Sequence, residues 1–283
     1  MSNLFRMQFF KFIAFLAISV LAWQTIPDAY WGPYKALNPH AITEFIVTIL
    51  LISALGKLSI YFLGNRYGLI LTGLIGGFAS STATIYSMGV ANRRDESAQS
   101  GAILGSVLSS VSTLLQIMLL CQLLAPQLTS LSMKPISTGI TTIIVVSLVA
   151  FKKLKKGQQI QQLPITESEI FDWKSLLTLT IVVTSISFIS GLLFANFGNS
   201  ALPLIAAISG LADAHAVIPS LAGFVNQGTL QPQDALAPVM IAFTVNTCTK
   251  CLIAFQAGGK GFGFKVSTGL ALTAAGAWLG LIF

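Results

Sequence analysis

The feature that most constrains this chain is its series of long apolar runs, separated by short stretches that carry the charges, prolines and glycines. Hydrophobic residues make up 54% of the 283 residues and charged residues only 9%, whereas a soluble domain has roughly 25% charged residues. Runs such as 136–151 are apolar at both odd and even positions, unlike the alternating strands of membrane barrels. The composition excludes a water-soluble globular enzyme and predicts an all-α, polytopic transmembrane helical bundle whose main partner is the lipid bilayer.

Each of nine segments is close to the ~20 residues that a bilayer-crossing helix needs. They are 8–26, 43–63, 68–91, 98–123, 135–151, 174–196, 201–225, 234–256 and 263–282. The first segment also resembles a signal peptide, so eight spans remain the alternative to nine. We expect an anchor span plus a first repeat at 1–151, a linker at 152–173 and a second repeat at 174–283.

The charged residues indicate topology rather than a nucleic-acid partner, because the net charge of +7 is spread between membrane segments. A lysine cluster at 152–156 marks the linker as cytoplasmic, and Arg93 and Arg94 fall on the same side. Nine crossings would place Arg66, Lys134, Lys260 and Lys265 on the opposite side and the N-terminus outside. We expect a multi-pass protein of the inner (plasma) membrane.

An internal repeat is the most informative pattern. Placing Gly77 on Gly210, an offset of 133, aligns identical pairs in two segments. The pairs are Ile75/Ile208, Gly77/Gly210, Ala79/Ala212, Ala83/Ala216, Ile85/Ile218 and Ser87/Ser220. The same offset brings Thr113 onto Asn246. The pattern predicts a two-fold duplication, parallel if every segment crosses and inverted if one is re-entrant. Chance recurrence of small helix-packing residues is the alternative.

Asp213 lies near the middle of the segment 201–225, where an ionised carboxylate costs at least ~2.5 kcal/mol. It therefore needs a partner, a proton or water. His215 can share a site with Asp213 only if the helix is unwound there, which Gly210 favours. In the first copy, residues of similar composition predict the same kind of break and a matching half-site: Gly76 and Gly77 as backbone hinges, then Ser80, Ser81 and Thr82.

Asn246 and Lys250 share one face of the following segment at i and i+4. Lys250 is a candidate charge partner of Asp213, the alternative being a side chain that reaches the membrane surface. No nucleophile elbow, phosphate-binding loop or HExxH motif is present, so we expect neither enzymatic activity nor a cofactor. The sequence leaves a metal ligand set and assembly into a homo-oligomer open.

These motifs carry a family resemblance. Leu37-Asn38-Pro39, residues 68–84, the run 209–213, and Asn246 with Lys250 resemble the membrane domain found C-terminal to MgtC/SapB domains, catalogued as domain of unknown function 4010. The resemblance implies, by analogy, a link to magnesium or ion homeostasis. His215 stands where the family pattern leads us to expect a second acidic residue.

The sequence thus predicts a secondary transporter or permease for a small ion or solute, with proton coupling through Asp213 as a further expectation. The alternative is a non-transporting scaffold or regulator of another membrane protein. In that case the Gly, Ala and Ser stripes would be packing surfaces, and Asp213 with Lys250 would be a structural ion pair.

Overall fold

The protein is described here by a computed structural model, which describes residues 3–63, 68–95, 98–152 and 173–283. Within these ranges the chain is helical almost throughout and forms no β-strand, so the all-α prediction is confirmed. Six helical stretches are long and apolar enough to cross a membrane, which identifies a multi-pass membrane protein. Most of the predicted linker at 152–173 lies outside the described residues.

The helices follow the predicted segments closely. They are α1 (Asn3–Thr25), α2 (Pro39–Leu63), α3 (Gly68–Arg94), α4 (Gln99–Leu124), α5 (Gln127–Lys152), α6 (Trp173–Phe197), α7 (Leu202–Ala212), α8 (Ile218–Asn226) and α9 (Pro232–Ile282). Two short 3-10 turns, Pro33–Lys35 and Gly198–Ala201, precede α2 and α7. The six stretches are Pro39–Ile60, Gly68–Arg94, Gln99–Leu124, Gln127–Ala150, Leu176–Ala212 and Pro232–Ile282.

Helix α9 is a hairpin of two antiparallel limbs. A straight helix of its 51 residues would be about 76 Å long, far more than a bilayer core of ~30 Å. Gly259 interrupts it with φ 81° and ψ 177°, in the region that glycine adopts most readily. Trp278 Nε1 donates to Thr244 Oγ1 at 2.9 Å, so residues far apart in sequence meet. The limbs correspond to the predicted segments 234–256 and 263–282.

Helix α3 also turns back on itself, at Ser80, whose backbone is extended (φ −172°, ψ 111°). A Cβ atom placed on Gly105 would lie 2.5 Å from the Leu69 carbonyl oxygen and 3.1 Å from Met88 Cε. On a straight helix Leu69 and Met88 would be about 28 Å apart. The incoming limb, before Ser80, and the outgoing limb, after it, therefore lie side by side against α4.

Helices α7 and α8 form a third hairpin, with its bend at 213–217. The Asn199 amide donates to Asp234 Oδ2 at 3.4 Å, which sets the start of α7 beside the start of α9. The Asn226 amide donates to the Leu124 carbonyl oxygen at 2.8 Å, which sets the end of α8 beside the end of α4. The chain therefore enters and leaves this hairpin at one end of the bundle.

The opposite end of the bundle collects basic side chains, and we call it the basic end after Arg93, Arg94, Lys260 and Lys265. Arg93 donates to the Gln256 carbonyl oxygen at 2.7 Å, and Lys265 donates to Gln99 Oε1 at 3.2 Å. Hence α3 begins and ends here, α4 starts here, and α9 turns here. The hairpin α7–α8 opens at the other end, so α3 and α7–α8 enter the bundle from opposite ends.

Two expectations from the sequence need correction. Nine crossings would separate Lys260 and Lys265 from Arg93 and Arg94, yet these residues share one end, because the segment 201–225 turns back within the bundle. The N-terminus was placed on the side opposite the linker. Rings of Trp23 and His40 lie 5.2 Å apart, so α1 runs antiparallel to α2 and begins at the basic end, where α5 stops. Arg66 lies outside the described residues.

The hairpin α7–α8 predicts the sidedness of two exposed positions. In a variant whose native cysteines are replaced by serine, Ser200→Cys and Gln231→Cys should react with a membrane-impermeant maleimide from the same side of the membrane. Lys260→Cys should react only from the other side. Labelling of Ser200→Cys and Gln231→Cys from opposite sides would show that the segment between them crosses the bilayer.

Candidate functional site

The two broken helices are interrupted at positions that the repeat makes equivalent. Ser80 in α3 has φ −172° and ψ 111°, and Asp213, which follows α7, has φ −163° and ψ 145°. Asp213 lies 133 positions after Ser80, the offset that aligns the two sequence segments. Each break thus begins with one extended residue, which directly follows the end of a short helix. We call residues 80–82 the first tip and residues 213–215 the second tip.

The glycines that precede each tip, Gly76, Gly77 and Gly210, are packing residues. A Cβ atom on Gly77 would lie 2.5 Å from the Ser109 carbonyl oxygen, and one on Gly210 would lie 2.5 Å from the Ala242 carbonyl oxygen. Ala242 also follows Ser109 by 133 positions, so each hairpin packs on the next helix at the equivalent point. A Cβ atom on Gly76 would meet Thr84 Oγ1 of the outgoing limb at 2.8 Å. The predicted hinge role of Gly76, Gly77 and Gly210 belongs instead to Ser80 and Asp213.

The carbonyl groups freed by the first break are hydrogen-bonded by neighbouring helices. Gln116 Nε2 donates to the Phe78 carbonyl oxygen at 3.1 Å, and Ser53 Oγ donates to that of Ala79 at 3.0 Å. The Ser80 hydroxyl accepts the N–H of Ala83 at 3.2 Å, as an N-cap residue does. Polar groups of α2 and α4 therefore hold the first tip.

The hydroxyls of the first tip lead to a buried cation. Thr113 Oγ1 lies 3.1 Å from Ser81 Oγ and accepts a hydrogen bond from Lys250 Nζ at 3.0 Å. Lys250 is 1% exposed, so its ammonium does not reach the membrane surface as the alternative interpretation supposed. Thr82 is half-buried in the first turn of the outgoing limb. Ser81, Thr113 and Lys250 thus form one chain of polar contacts.

The second tip holds a carboxylate and an imidazole. Asp213 Oδ1 accepts the backbone N–H of His215 at 2.8 Å and lies 2.5 Å from His215 Nδ1. The side chain of Asp213 is 48% exposed and that of His215 only 10%. His215 Nε2 is buried and has no hydrogen-bond partner among the described residues. The break therefore brings together the two side chains that a regular helix would separate, as predicted.

Lys250 connects the two tips through different interactions. Its hydrogen bond goes to Thr113, while its interaction with Asp213 is electrostatic and without a direct ion pair in the described part of the chain. The neutralisation of Asp213 by Lys250 therefore stays a prediction. Asn246, one helical turn before Lys250, is 5% exposed.

Sequence reasoning missed Gln116 and the role of Thr113. Thr113 was visible only as the residue that the repeat aligns with Asn246, and Gln116 was visible only as a polar residue inside an apolar run. The chemical set of the site is hydroxyls, amides, one carboxylate, one imidazole and one ammonium. Among the described residues, no three His, Cys, Asp or Glu side chains are grouped so as to hold a metal ion.

The buried contact between Thr113 and Lys250 predicts a specific cost. Thr113→Val leaves the ammonium in an apolar interior without its acceptor, so we expect stability to fall by about 1–3 kcal/mol. Thermal unfolding in detergent would measure this, with Thr268→Val, an exposed helix threonine, as the matched control. Adding Lys250→Met should recover part of the loss. Equal effects of Thr113→Val and Thr268→Val would contradict the assignment.

Comparison with known proteins agrees with the motifs in the sequence. The family model described as domain of unknown function DUF4010 matches residues 47–258, which include both tips, Thr113 and Lys250. No curated protein matches the chain, and no solved structure matches it. Since the family model spans most of the chain, the protein belongs to the DUF4010 family.

Proposed function

We propose that the protein is a secondary transporter or permease for a small ion or solute, built from two repeats of inverted topology. The observation that carries the proposal is the pair of hairpins that enter from opposite ends of the bundle. Their breaks, at Ser80 and Asp213, lie at equivalent positions of the repeat. Inverted repeats with discontinuous helices at the membrane midplane are a recurring architecture of secondary transporters.

Each proposed repeat has the same order of parts. The first repeat consists of α2, the α3 hairpin, α4 and α5, and the second consists of α6, the α7–α8 hairpin and the two limbs of α9. With α1 as an additional span, seven crossings and two re-entrant hairpins replace the nine predicted crossings. The packing of Gly77 on Ser109 and of Gly210 on Ala242 supports the duplication.

The exposure of both breaks supports a transport path over a purely structural role. Irregular backbone at membrane depth is tolerated where it is buried in protein or lines a water-filled cavity. Ser80 is exposed, and nearly half of the Asp213 side chain is accessible, although both lie at the inner ends of their hairpins. A carboxylate in that position needs water, a proton or a ligand.

The basic end supports an orientation. Arg93, Arg94, Lys260 and Lys265 lie there, together with the start of the lysine-rich connection after α5. Under the positive-inside rule this end faces the cytoplasm. The N-terminus is then cytoplasmic, and the hairpin α7–α8 opens toward the outside. A location in the inner (plasma) membrane is part of the same proposal.

Proton coupling is proposed for the second tip. Asp213 Oδ1 lies 2.5 Å from His215 Nδ1, so the second tip brings a carboxylate and an imidazole together inside the bundle. The link to magnesium or ion homeostasis rests on the MgtC/SapB resemblance, so Mg²⁺ belongs among the solutes to be tried. Protonation would let the tip change charge during a transport cycle.

Asp213→Asn tests the proposal, with Asp234→Asn at the exposed start of α9 as the matched control. Purified protein in proteoliposomes is challenged on a solid-supported membrane with gradients of Mg²⁺, Na⁺, acetate, succinate and phosphate at several pH values. We expect currents for the wild type and Asp234→Asn, and a loss of at least about tenfold for Asp213→Asn, because an amide cannot carry the charge.

Two results would oppose the proposal. Wild-type protein that passes none of these solutes would favour the scaffold or regulator. Unchanged currents in Asp213→Asn, with normal insertion and stability, would remove the second tip from the transport path.

A further inference from the structure

We infer that the protein binds, beside Lys250 and Asn246, a small anion that carries a carboxylate or a similar oxyanion group, and that these two side chains recognise it. The inference rests on the proposed transport function, because it names the substrate class of that site. It is carried by buried side chains whose hydrogen-bonding capacity the protein does not use.

Lys250 is the first of these side chains. An ammonium has three N–H donors, and the hydrogen bond to Thr113 Oγ1 uses one of them. The side chain is only 1% exposed, so water has little access to the other two. A buried charge is costly unless it is paired and hydrogen-bonded. An anionic group within reach of Lys250 would supply both.

Asn246 and His215 add further buried polar atoms without hydrogen bonds to the described residues. Asn246 lies on the same face of α9 as Lys250, is 5% exposed, and its side-chain amide makes no hydrogen bond to any residue in the described ranges. His215 is 8% exposed, and no residue in the described part of the chain hydrogen-bonds its Nε2. Three side chains that are more than nine-tenths buried thus await a polar ligand in one region of the bundle.

The first tip adds positive potential directed at the same place. The outgoing limb of α3 runs to Arg94, so it is long enough to present the partial positive charge of a helix N-terminus. The backbone N–H groups of Ser81 and Thr82 belong to its first turn, where helices leave donors without partners. Ser81 is tied to Lys250 through Thr113, so the helix end and the ammonium converge.

Three of the acceptors that a cation could use are already engaged. The carbonyl groups that the first break frees, those of Phe78 and Ala79, accept hydrogen bonds from Gln116 and Ser53. In the second tip, Asp213 Oδ1 is occupied by His215. A cation at the centre would also meet the Lys250 ammonium. The Lys250 ammonium and the unused donors around it therefore favour an anion over a cation.

Anion binding to the purified full-length protein tests the inference. Isothermal titration calorimetry and thermal shift would use sodium acetate, sodium succinate and sodium phosphate as probes, with sodium chloride and MgCl₂ for comparison. We expect one or more of the oxyanions to bind and to raise the unfolding temperature. Lys250→Met should weaken that binding at least tenfold, whereas Lys260→Met, at the exposed basic end, should leave it unchanged.

A second variant keeps the test decisive if Lys250→Met fails to fold. Asn246→Asp places a carboxylate one turn from Lys250, where it can pair with the ammonium and preserve the fold. It should abolish oxyanion binding through like-charge repulsion. Binding that survives in both variants would overturn the inference, as would a wild type that binds none of the oxyanions.

The outcomes separate this inference from the proposed function. Mg²⁺ or Na⁺ currents that depend on Asp213, without oxyanion binding, would overturn the anion site and leave transport standing. Lys250-dependent oxyanion binding without currents for any solute would support the site and overturn transport.

Discussion

The structure depends on satisfying the backbone at two helix breaks inside an apolar bundle. A backbone carbonyl group without a partner in hydrocarbon costs several kcal/mol, and no solvent is there to compensate. Ser53 and Gln116 compensate at the first break, and the Ser80 hydroxyl caps the limb that follows. At the second break the Asp213 carboxylate accepts the N–H of His215, two residues on, and so satisfies one backbone donor of the turn. These polar groups allow the chain to reverse its direction inside the bundle. The two reversals form the candidate site.

The sequence predicted the helical segments well but not their directions. Hydropathy measures the length and apolarity of a run, and a re-entrant hairpin such as α3 has the same length and apolarity as a crossing helix. The reversal at Ser80 depends on contacts with α4, which are distant in sequence. Leu69 of the incoming limb and Met88 of the outgoing limb both pack against Gly105. The charges hold a usable signal, since Lys260 and Lys265 share a side with Arg93 and Arg94 only if α7–α8 turns back.

The sequence predicts the charged residues of the candidate site but not the hydrogen bonds that link them. Asp213, His215 and Lys250 stand out because ionisable groups are rare in apolar segments. Thr113 and Gln116 do not stand out, because hydroxyl and amide residues are common wherever membrane helices pack. Their roles follow from the antiparallel crossing of α4 and the first limb of α9, which sets Thr113 against Lys250. Sequence alone does not distinguish a hinge glycine from a packing glycine, because glycine allows both unusual backbone angles and close contact between helices.

The single lysine at the centre has a consequence for how such a chain could arise. On the proposed duplication, the position equivalent to Lys250 in the first copy is Ile117, so the charge is present once rather than twice. An ancestral pair of identical chains would have had either two ammonium groups at its symmetry axis or none. After fusion of the two copies, equivalent positions can mutate independently. One copy can then carry a charged residue, as at Lys250, while the other carries an apolar one, as at Ile117. On that proposal, the difference between residues 117 and 250 would mark a fused chain that has specialised.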